Sequence, residues 1–219
     1  MRAAIIIAVL AAGVLKAQTT PTIQAQGTAS LTANPDQAQV TLSVITNGST
    51  AQAAAQANAA TSAAVQNALK ALNPTPVIQT VGYSVYPQYT GAQILTGYTA
   101  SNTIQVTTVD LSAIGSLIDT ANQAGANSVS GITFGLQNPD PVKQQALTQA
   151  AKQARAHSDA IAAGLGGKTG AVVSAVEGST YTPIYAGVGA VAGPVVPTPI
   201  QSGQVTVTAN VTITFELTQ

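Results

Sequence analysis

The sequence lacks cysteine and tryptophan, and it contains one histidine, His157, and one methionine in 219 residues. Without cysteine there can be no disulfide, thiolate-ligated zinc, iron–sulfur cluster, thiolate nucleophile or lipid-modified cysteine. With a single histidine, most metalloenzyme sites also lose their commonest ligand. The composition therefore predicts no cofactor, and it identifies no reaction.

Charge is also scarce, since Asp, Glu, Lys and Arg together make up 6% of the chain. Globular domains normally contain about 25% of these residues. The 46% hydrophobic content does not indicate a membrane protein, because no apolar run approaches the ~20 residues that span a bilayer. We therefore expect a surface covered by the amides and hydroxyls of Gln, Asn, Ser and Thr.

The N-terminus has the pattern of a secretory signal peptide. Arg2 precedes a mostly aliphatic, uncharged stretch at 3–15, and polar sequence returns at Lys16. This stretch is too short to span a membrane, so we predict cleavage after Ala17 and export of residues 18–219 to the periplasm or cell envelope. An uncleaved anchor is the alternative. Once the signal is cleaved, no transmembrane helix is expected.

Cleavage would remove two of the seven basic residues, Arg2 and Lys16, and leave five against seven acidic residues. The remaining basic residues are scattered and form no stripe. Nucleic-acid-binding proteins neutralise phosphates with clustered Lys and Arg. The charge pattern therefore excludes a nucleic-acid partner.

Alternating and helical hydrophobic patterns succeed one another along the chain. Strands are predicted at 22–31, 37–46, 77–89, 98–109, 129–136, 170–177 and 204–217, and helices at 49–72, 110–124 and 138–166. A strand-helix-strand unit occurs twice, at 37–89 and 98–136. We therefore predict an α+β fold in which a mixed, largely antiparallel sheet carries helices on one face. One compact unit and two small lobes both remain open.

Several local signals place the ends and faces of these elements. The turn at 34–36 is predicted to form a hairpin or a sheet edge, and Asp110 to cap the second helix. The apolar side of the first helix is assigned to Ala54, Ala57, Ala64, Val65, Leu69 and Leu72. That of the third helix is assigned to Val142, Ala146, Ala150, Ala154, Ile161 and Leu165.

Residues 178–203 are rich in Pro, Gly and small apolar residues and show no usable period. Loops of this length are usually functional or disordered. The Val and Ile content is too high for an ordinary solvated linker, so we expect this segment, which contains Tyr181 and Tyr185, to dock on another surface. Disorder is the alternative.

Few residues suggest chemistry. His157 lies between Arg155 and Asp159, but positions 157 and 159 point about 200° apart on a helix, so no catalytic triad is expected; the 155 and 159 side chains can pair. The acidic residues are scattered, which leaves paired-carboxylate hydrolysis as a weak hypothesis. The glycines at 187 and 189 precede no helix pattern and no lysine, so they do not form a phosphate loop.

Four of the six tyrosines lie close together in sequence: Tyr83, Tyr86, Tyr89 and Tyr98. Rigid rings supply contact area at low entropic cost, so such a cluster can bind sugars, peptides or a partner chain. Positions three apart on a strand face opposite sides, however, and spacing alone predicts no single platform. Together with Tyr181 and Tyr185, the residues Tyr83, Tyr86 and Tyr89 are the candidate contact residues, and structural tyrosines are the alternative.

Several stretches resemble the SIMPL-domain family of secreted bacterial proteins. They are Asn34–Ala38, Gln79–Pro87, Gly97–Ile104, Val109–Leu111, Ala124–Asn127, Val129–Phe134, Ala151–Gly166 and Val205–Leu217. The resemblance covers nearly all of the processed chain. It implies an exported α+β protein linked to oxidative-stress tolerance, with some immunogenic members that form large ring or channel-like oligomers. It implies no catalytic residue and no cofactor.

Three hypotheses follow. The first is a non-enzymatic envelope protein that forms homo-oligomers and has a protective or scaffolding role, with another envelope protein or a peptide as a further partner. The second is a module that binds a peptide or small ligand at the Tyr83–Tyr98 region. The third is a hydrolase that uses scattered carboxylates. The family resemblance and the low charge favour the first.

Overall fold

The computed structural model describes residues 20–91, 94–178, 185–186 and 200–219, with only the backbone described at 185–186. The elements are β1 (Thr22–Ala33), β2 (Gln37–Gly48), α1 (Ala51–Lys70), β3 (Val77–Thr90), β4 (Ile94–Thr108), α2 (Ile114–Gln123), β5 (Ser128–Gly135), α3 (Asp140–Gly164), β6 (Lys168–Glu177), β7 (Tyr185–Ala186) and β8 (Val205–Thr218). The α+β class is confirmed. The short strand β7 lies inside the segment predicted as a loop.

The strands form two antiparallel sheets, in the orders β1-β8-β6 and β3-β4-β2-β5-β7. The turn at 34–36 does not close a hairpin, because β2 is flanked by β4 and β5 and has no free edge for β1. β1 instead pairs with β8 along its whole length. Asp36 stabilises the connection from β1 in one sheet to β2 in the other. Its N–H donates to the Gly135 carbonyl at 3.1 Å, and its carboxylate accepts from the Gln137 N–H at 2.6 Å.

The five-stranded sheet packs one face against α1 and α2. Thr50 caps α1 by accepting a hydrogen bond from the Ala53 N–H at 3.1 Å, as expected of a hydroxyl at a helix start. The main core residues are Val40, Leu42, Val44, Val65, Leu69, Ile104, Val106, Ile114, Leu117 and Phe134. Asn58 and Ser62 are also buried on α1, whereas Ala57 and Ala64, predicted to pack, are exposed.

The three-stranded sheet packs against α3 and has its own core. The buried side of α3 is a row of small residues spaced four apart: Ala146, Ala150, Ala154, Ser158 and Ala162. These residues contact strand residues that include Ala25, Ala209, Ile213 and Phe215. The sequence assignment was wrong for Ile161 and Leu165, which are 44% and 65% exposed. The small residues face the sheet because the helix lies directly against the backbone of β1.

The prediction that Asp110 caps the second helix was wrong, because α2 begins at Ile114 and its N-cap, Ala113, has no side-chain hydrogen bond. Asp110 instead stabilises the turn that leads into α2. Its carboxylate accepts from the Ser112 hydroxyl at 2.6 Å and from the N–H groups of Ser112 and Ala113 at 3.1 and 3.2 Å. The hydrogen bond from the Ser112 hydroxyl, followed by those from the backbone, lowers the pKa of Asp110 below its ordinary value. The ionised form therefore stabilises the folded chain.

This lowered pKa predicts an acid-dependent contribution to stability. A carboxyl group whose pKa is lower in the folded state than in the unfolded chain stabilises the fold at pH values above its unfolded pKa. This contribution is lost as the pH falls through the folded-state pKa. Asp110→Ala should therefore lower the melting temperature at pH 7. The difference in melting temperature between this variant and the parent chain should become smaller in acid. Calorimetry of both proteins at pH 7 and at about pH 2 measures the difference in melting temperature at each pH. An equal difference in melting temperature at the two pH values would contradict an electrostatic role for Asp110.

Candidate functional site

β3 is one of the two outer strands of the five-stranded sheet, and within the described ranges its one strand neighbour is β4. Its register with β4 runs from Val77 opposite Thr107 to Thr90 opposite Ile94. β4 in turn pairs with β2 only as far as Tyr98, which lies opposite Gly48. The β3–β4 hairpin therefore extends beyond the rest of the sheet. We call residues 88–91 and 94–97 the arm, and the outer side of β3 the β3 edge.

The β3 edge and the arm are apolar and uncharged. No charged residue occurs between Lys70 and Asp110. The exposed large hydrophobic side chains here are Val77, Val81, Tyr83, Tyr86, Tyr89, Ile94 and Leu95. Natural proteins normally protect outer strands with charges, covering elements or very short strands, because an open edge is a template for pairing with another chain.

The outer strand β1 is covered by side chains of α3, whereas the outer strand β6 carries charges only at its ends and exposes Val172, Val173 and Val176. On β1, Gln153 Oε1 accepts from the Thr28 N–H at 2.6 Å, and His157 Nδ1 donates to the Gln26 carbonyl at 2.8 Å. β6 begins at Lys168 and ends at Glu177, and Glu177 pairs with Lys143 at 3.2 Å. Between Val77 and Tyr86, no side chain of the described residues bonds the backbone of β3. The β3 edge is thus uncharged, and no described residue covers it.

The tyrosines do not share one face of the hairpin. Tyr83 lies opposite Asn102 on β4, and Tyr86 lies opposite Thr99. Because neighbouring positions on a strand point to opposite faces, Tyr83 and Tyr86, which are three positions apart, also point to opposite faces. Tyr83, Tyr86 and Tyr89 are exposed, whereas Tyr98 is half-buried. Tyr181 lies outside the described residues, and Tyr185 is seen only through its backbone pairing with Phe134. A contact role for these residues stays a prediction.

A cleft of about 450 Å³ lies at the base of the arm. It is lined by Asn47, Gly48, Ser49, Gln88, Thr96, Gly97 and Tyr98. Beneath it, the Thr99 hydroxyl accepts from Gln88 Nε2 and donates to Asn47 Oδ1, the latter at 2.6 Å. Sequence reasoning missed Asn47 and Gln88, because they are far apart in the chain and meet only through strand pairing.

The group around His157 is structural. Arg155 pairs with Asp159 at 3.1 Å, as predicted, lies 5.2 Å above the centre of the Phe215 ring, and donates to the carbonyl groups of Thr169 and Gly170. His157 contacts the Gln26 backbone and does not face Asp159. Among the residues the structure describes, no three His, Cys, Asp or Glu side chains come together as a metal site would require.

Within the described ranges, no helix has the length and apolar character needed to cross a bilayer.

Comparison with known proteins gives consistent matches. The SIMPL family model, described as a protein of unknown function, matches residues 23–215. The uncharacterized protein YggE of Escherichia coli K12 is 31% identical over 161 residues, which cover 70% of this chain and 64% of that protein. The 26 kDa periplasmic immunogenic protein of Brucella melitensis is 28% identical over 66% of this chain and 63% of its own length. The chain thus spans less than two thirds of these relatives. Since the family model covers most of its length, the chain belongs to the SIMPL family.

Proposed function

We propose that this chain is an exported, non-enzymatic protein of the cell envelope that associates with further copies of itself through the β3 edge. The observation that carries this proposal is the outer side of β3, which is uncharged and which none of the residues in the described ranges covers. A scaffolding or protective role follows from such assembly. With no cysteine and one methionine, any protection against oxidative stress is indirect, because the chain has little side-chain chemistry to sacrifice.

A second copy fits this edge better than a charged partner does. The 14-residue strand offers a row of backbone hydrogen-bonding groups, and edge-to-edge pairing satisfies them. Two identical edges can meet antiparallel about a twofold axis, so that the same patch serves both subunits. The processed chain carries five basic and seven acidic residues, so repulsion between copies is weak.

Two further observations support export. The first is the signal-like sequence at residues 1–17, which lies outside the described residues. The second is the printed name of the Brucella relative, which calls that protein periplasmic. Docking by segment 178–203, most of which lies outside the described residues, stays a prediction.

Charge introduced on the β3 edge tests the proposal. Val81→Lys combined with Tyr83→Lys places two ammonium groups on an edge that now has none, and lysine is a natural device against edge pairing. We expect the parent chain to form a discrete oligomer and the double variant to be monomeric. Light scattering after size-exclusion chromatography, over a concentration series, measures the mass of each.

Leu165→Lys is the matched control, because Leu165 is an exposed aliphatic residue at the end of α3 and lies away from the β3 edge. It should leave the oligomer intact. A monomeric parent chain at all concentrations would refute self-association. If Val173→Lys on β6 dissociates the oligomer and the β3 variant does not, the interface is on the other sheet and the assignment to β3 is wrong.

A further inference from the structure

The cleft at the base of the arm has two walls from distant parts of the chain. One wall is the end of β2 and the approach to α1, at Asn47, Gly48 and Ser49; the other is the arm and the adjoining Tyr98. The cleft volume of about 450 Å³ lies within the range of ~300–1,000 Å³ typical of small-molecule sites. It shares Gln88 with the end of β3 but does not involve Val77–Tyr86, the stretch in which Val81→Lys and Tyr83→Lys test assembly.

The Thr99 hydroxyl is hydrogen-bonded to both amides of this cleft. Thr99 is 2% exposed, and its single hydroxyl proton goes to Asn47 Oδ1 while its oxygen accepts from Gln88 Nε2. A hydroxyl has one proton to donate, so this arrangement leaves Asn47 Nδ2 as a donor and Gln88 Oε1 as an acceptor. Neither atom has a protein partner among the described residues.

Two glycines keep the walls close and leave the cleft uncovered. A Cβ atom added to Gly97 would lie 2.9 Å from the Gly48 carbonyl oxygen, closer than such atoms approach one another. The backbones of the two walls therefore meet without an intervening side chain. The Thr96 hydroxyl bonds the Gln88 carbonyl at 3.1 Å and ties the two strands of the arm together at this point.

The lining selects a neutral ligand. Every side chain around the cleft is an amide, a hydroxyl or the Tyr98 phenol, and no charged residue occurs between Lys70 and Asp110. An ionised ligand would lose its hydration without gaining a charged partner. What the cleft offers is one amide donor, one amide acceptor and hydroxyl groups, with no charge.

We propose that this cleft binds a neutral saccharide. Adjacent sugar hydroxyls both donate and accept, so two of them match the Asn47 donor and the Gln88 acceptor at once. A peptide, in contrast, presents its N–H and C=O groups in a row and suits a strand edge better than a single donor–acceptor pair.

The test uses the chain purified after export and four probes: a glucose trisaccharide, an N-acetylglucosamine trisaccharide, glucuronic acid and an end-blocked trialanine. Ligand-observed NMR detects weak binding, and calorimetric titration gives the dissociation constant. We expect at least one neutral trisaccharide to bind, glucuronic acid and trialanine not to bind, and Thr99→Val to weaken binding about tenfold.

Matched controls separate the cleft from the fold. Thr107→Val removes a hydroxyl from the same strand and face and should leave binding unchanged. Gln88→Ala, at an exposed position, should weaken binding even if Thr99→Val disturbs folding, and Gln79→Ala on the same strand should not. The proposal is overturned if neither trisaccharide binds, if trialanine binds in preference, or if Gln88→Ala binds as tightly as the parent chain.

Discussion

Replacing Gly27 with alanine should destabilise the three-stranded unit by about 3 kcal/mol, because α3 lies directly on the backbone of β1 at this residue. An added Cβ would overlap the Ala150 carbonyl oxygen and would lie 2.7 Å from the Ala154 nitrogen. Both obstacles are helix backbone, which cannot rotate away as a side chain can. The helix would have to move outward, which would weaken its contacts with β1.

Those contacts explain why the shift is costly. Gln153 and His157 each bond the outer backbone of β1, at Thr28 and Gln26. A displaced α3 loses these bonds and exposes the β1 edge. The same displacement separates the small buried residues of the helix from the sheet, and incomplete packing of buried surfaces costs stability.

Gly131→Ala provides the matched control. Gly131 is also a strand glycine, but an added Cβ there meets no atom within 4 Å. Alanine reduces the entropy of the unfolded chain, so this variant should be neutral or stabilised by up to ~1 kcal/mol. Urea unfolding monitored by circular dichroism measures both variants. Similar unfolding midpoints for Gly27→Ala and Gly131→Ala would show that the close approach of α3 has no energetic consequence.

The secondary structure was predictable because its signals are local. Alternation along β8 and the proline and glycine residues after the helices place the elements close to their observed positions. The division into two sheets was not predictable in this way. It depends on β8 returning from the end of the chain to pair with β1, and no local pattern encodes that choice.

The buried faces of the helices were harder to assign for a physical reason. The hydrophobicity of Ile161 and Leu165 suggested burial, yet the helix approaches β1 so closely that only Ala and Ser fit between them. Close backbone packing favours small residues over apolar ones. The apolar pattern therefore places Ala146, Ala150 and Ala154 on the buried side correctly but adds the exposed Ile161 and Leu165 to it.

The candidate sites were only partly visible in the sequence. The tyrosine cluster is visible in the sequence, but its position on an outer strand depends on the pairing order of five strands. The polar cleft could not be found at all, since Asn47, Gln88 and Thr99 come from three different strands. Amides at such positions resemble any other Asn or Gln on a chain that is rich in both.

Asn58 gives the second large effect, in the unit built on the five-stranded sheet. It lies within α1 and is completely buried. Its Nδ2 group donates to the Val44 carbonyl at 2.8 Å and to the Ala100 carbonyl at 3.1 Å, and its Oδ1 accepts from the Ser62 hydroxyl at 3.2 Å. One amide therefore links α1 to both β2 and β4.

We expect Asn58→Ala to lower the free energy of unfolding by about 3 kcal/mol, since it leaves buried hydrogen-bonding groups without partners. Asn67→Ala, at an exposed position of the same helix, should be neutral or slightly stabilising, because alanine is the better helix former. Urea unfolding at pH 7 compares the two variants. Equal midpoints would mean that water replaces the lost amide.

Asn58→Asp distinguishes lost hydrogen bonds from lost volume. The carboxylate has nearly the shape of the amide but, when ionised, cannot donate to the Val44 and Ala100 carbonyls and is buried without a cation. Burial away from a cation raises the pKa of such a carboxyl, so the ionised form is disfavoured in the folded state. The variant should therefore be at least as unstable as Asn58→Ala at pH 7 and should recover part of its stability in acid, where the protonated group can donate once. A deficit that does not change with pH would instead assign the role of Asn58 to packing.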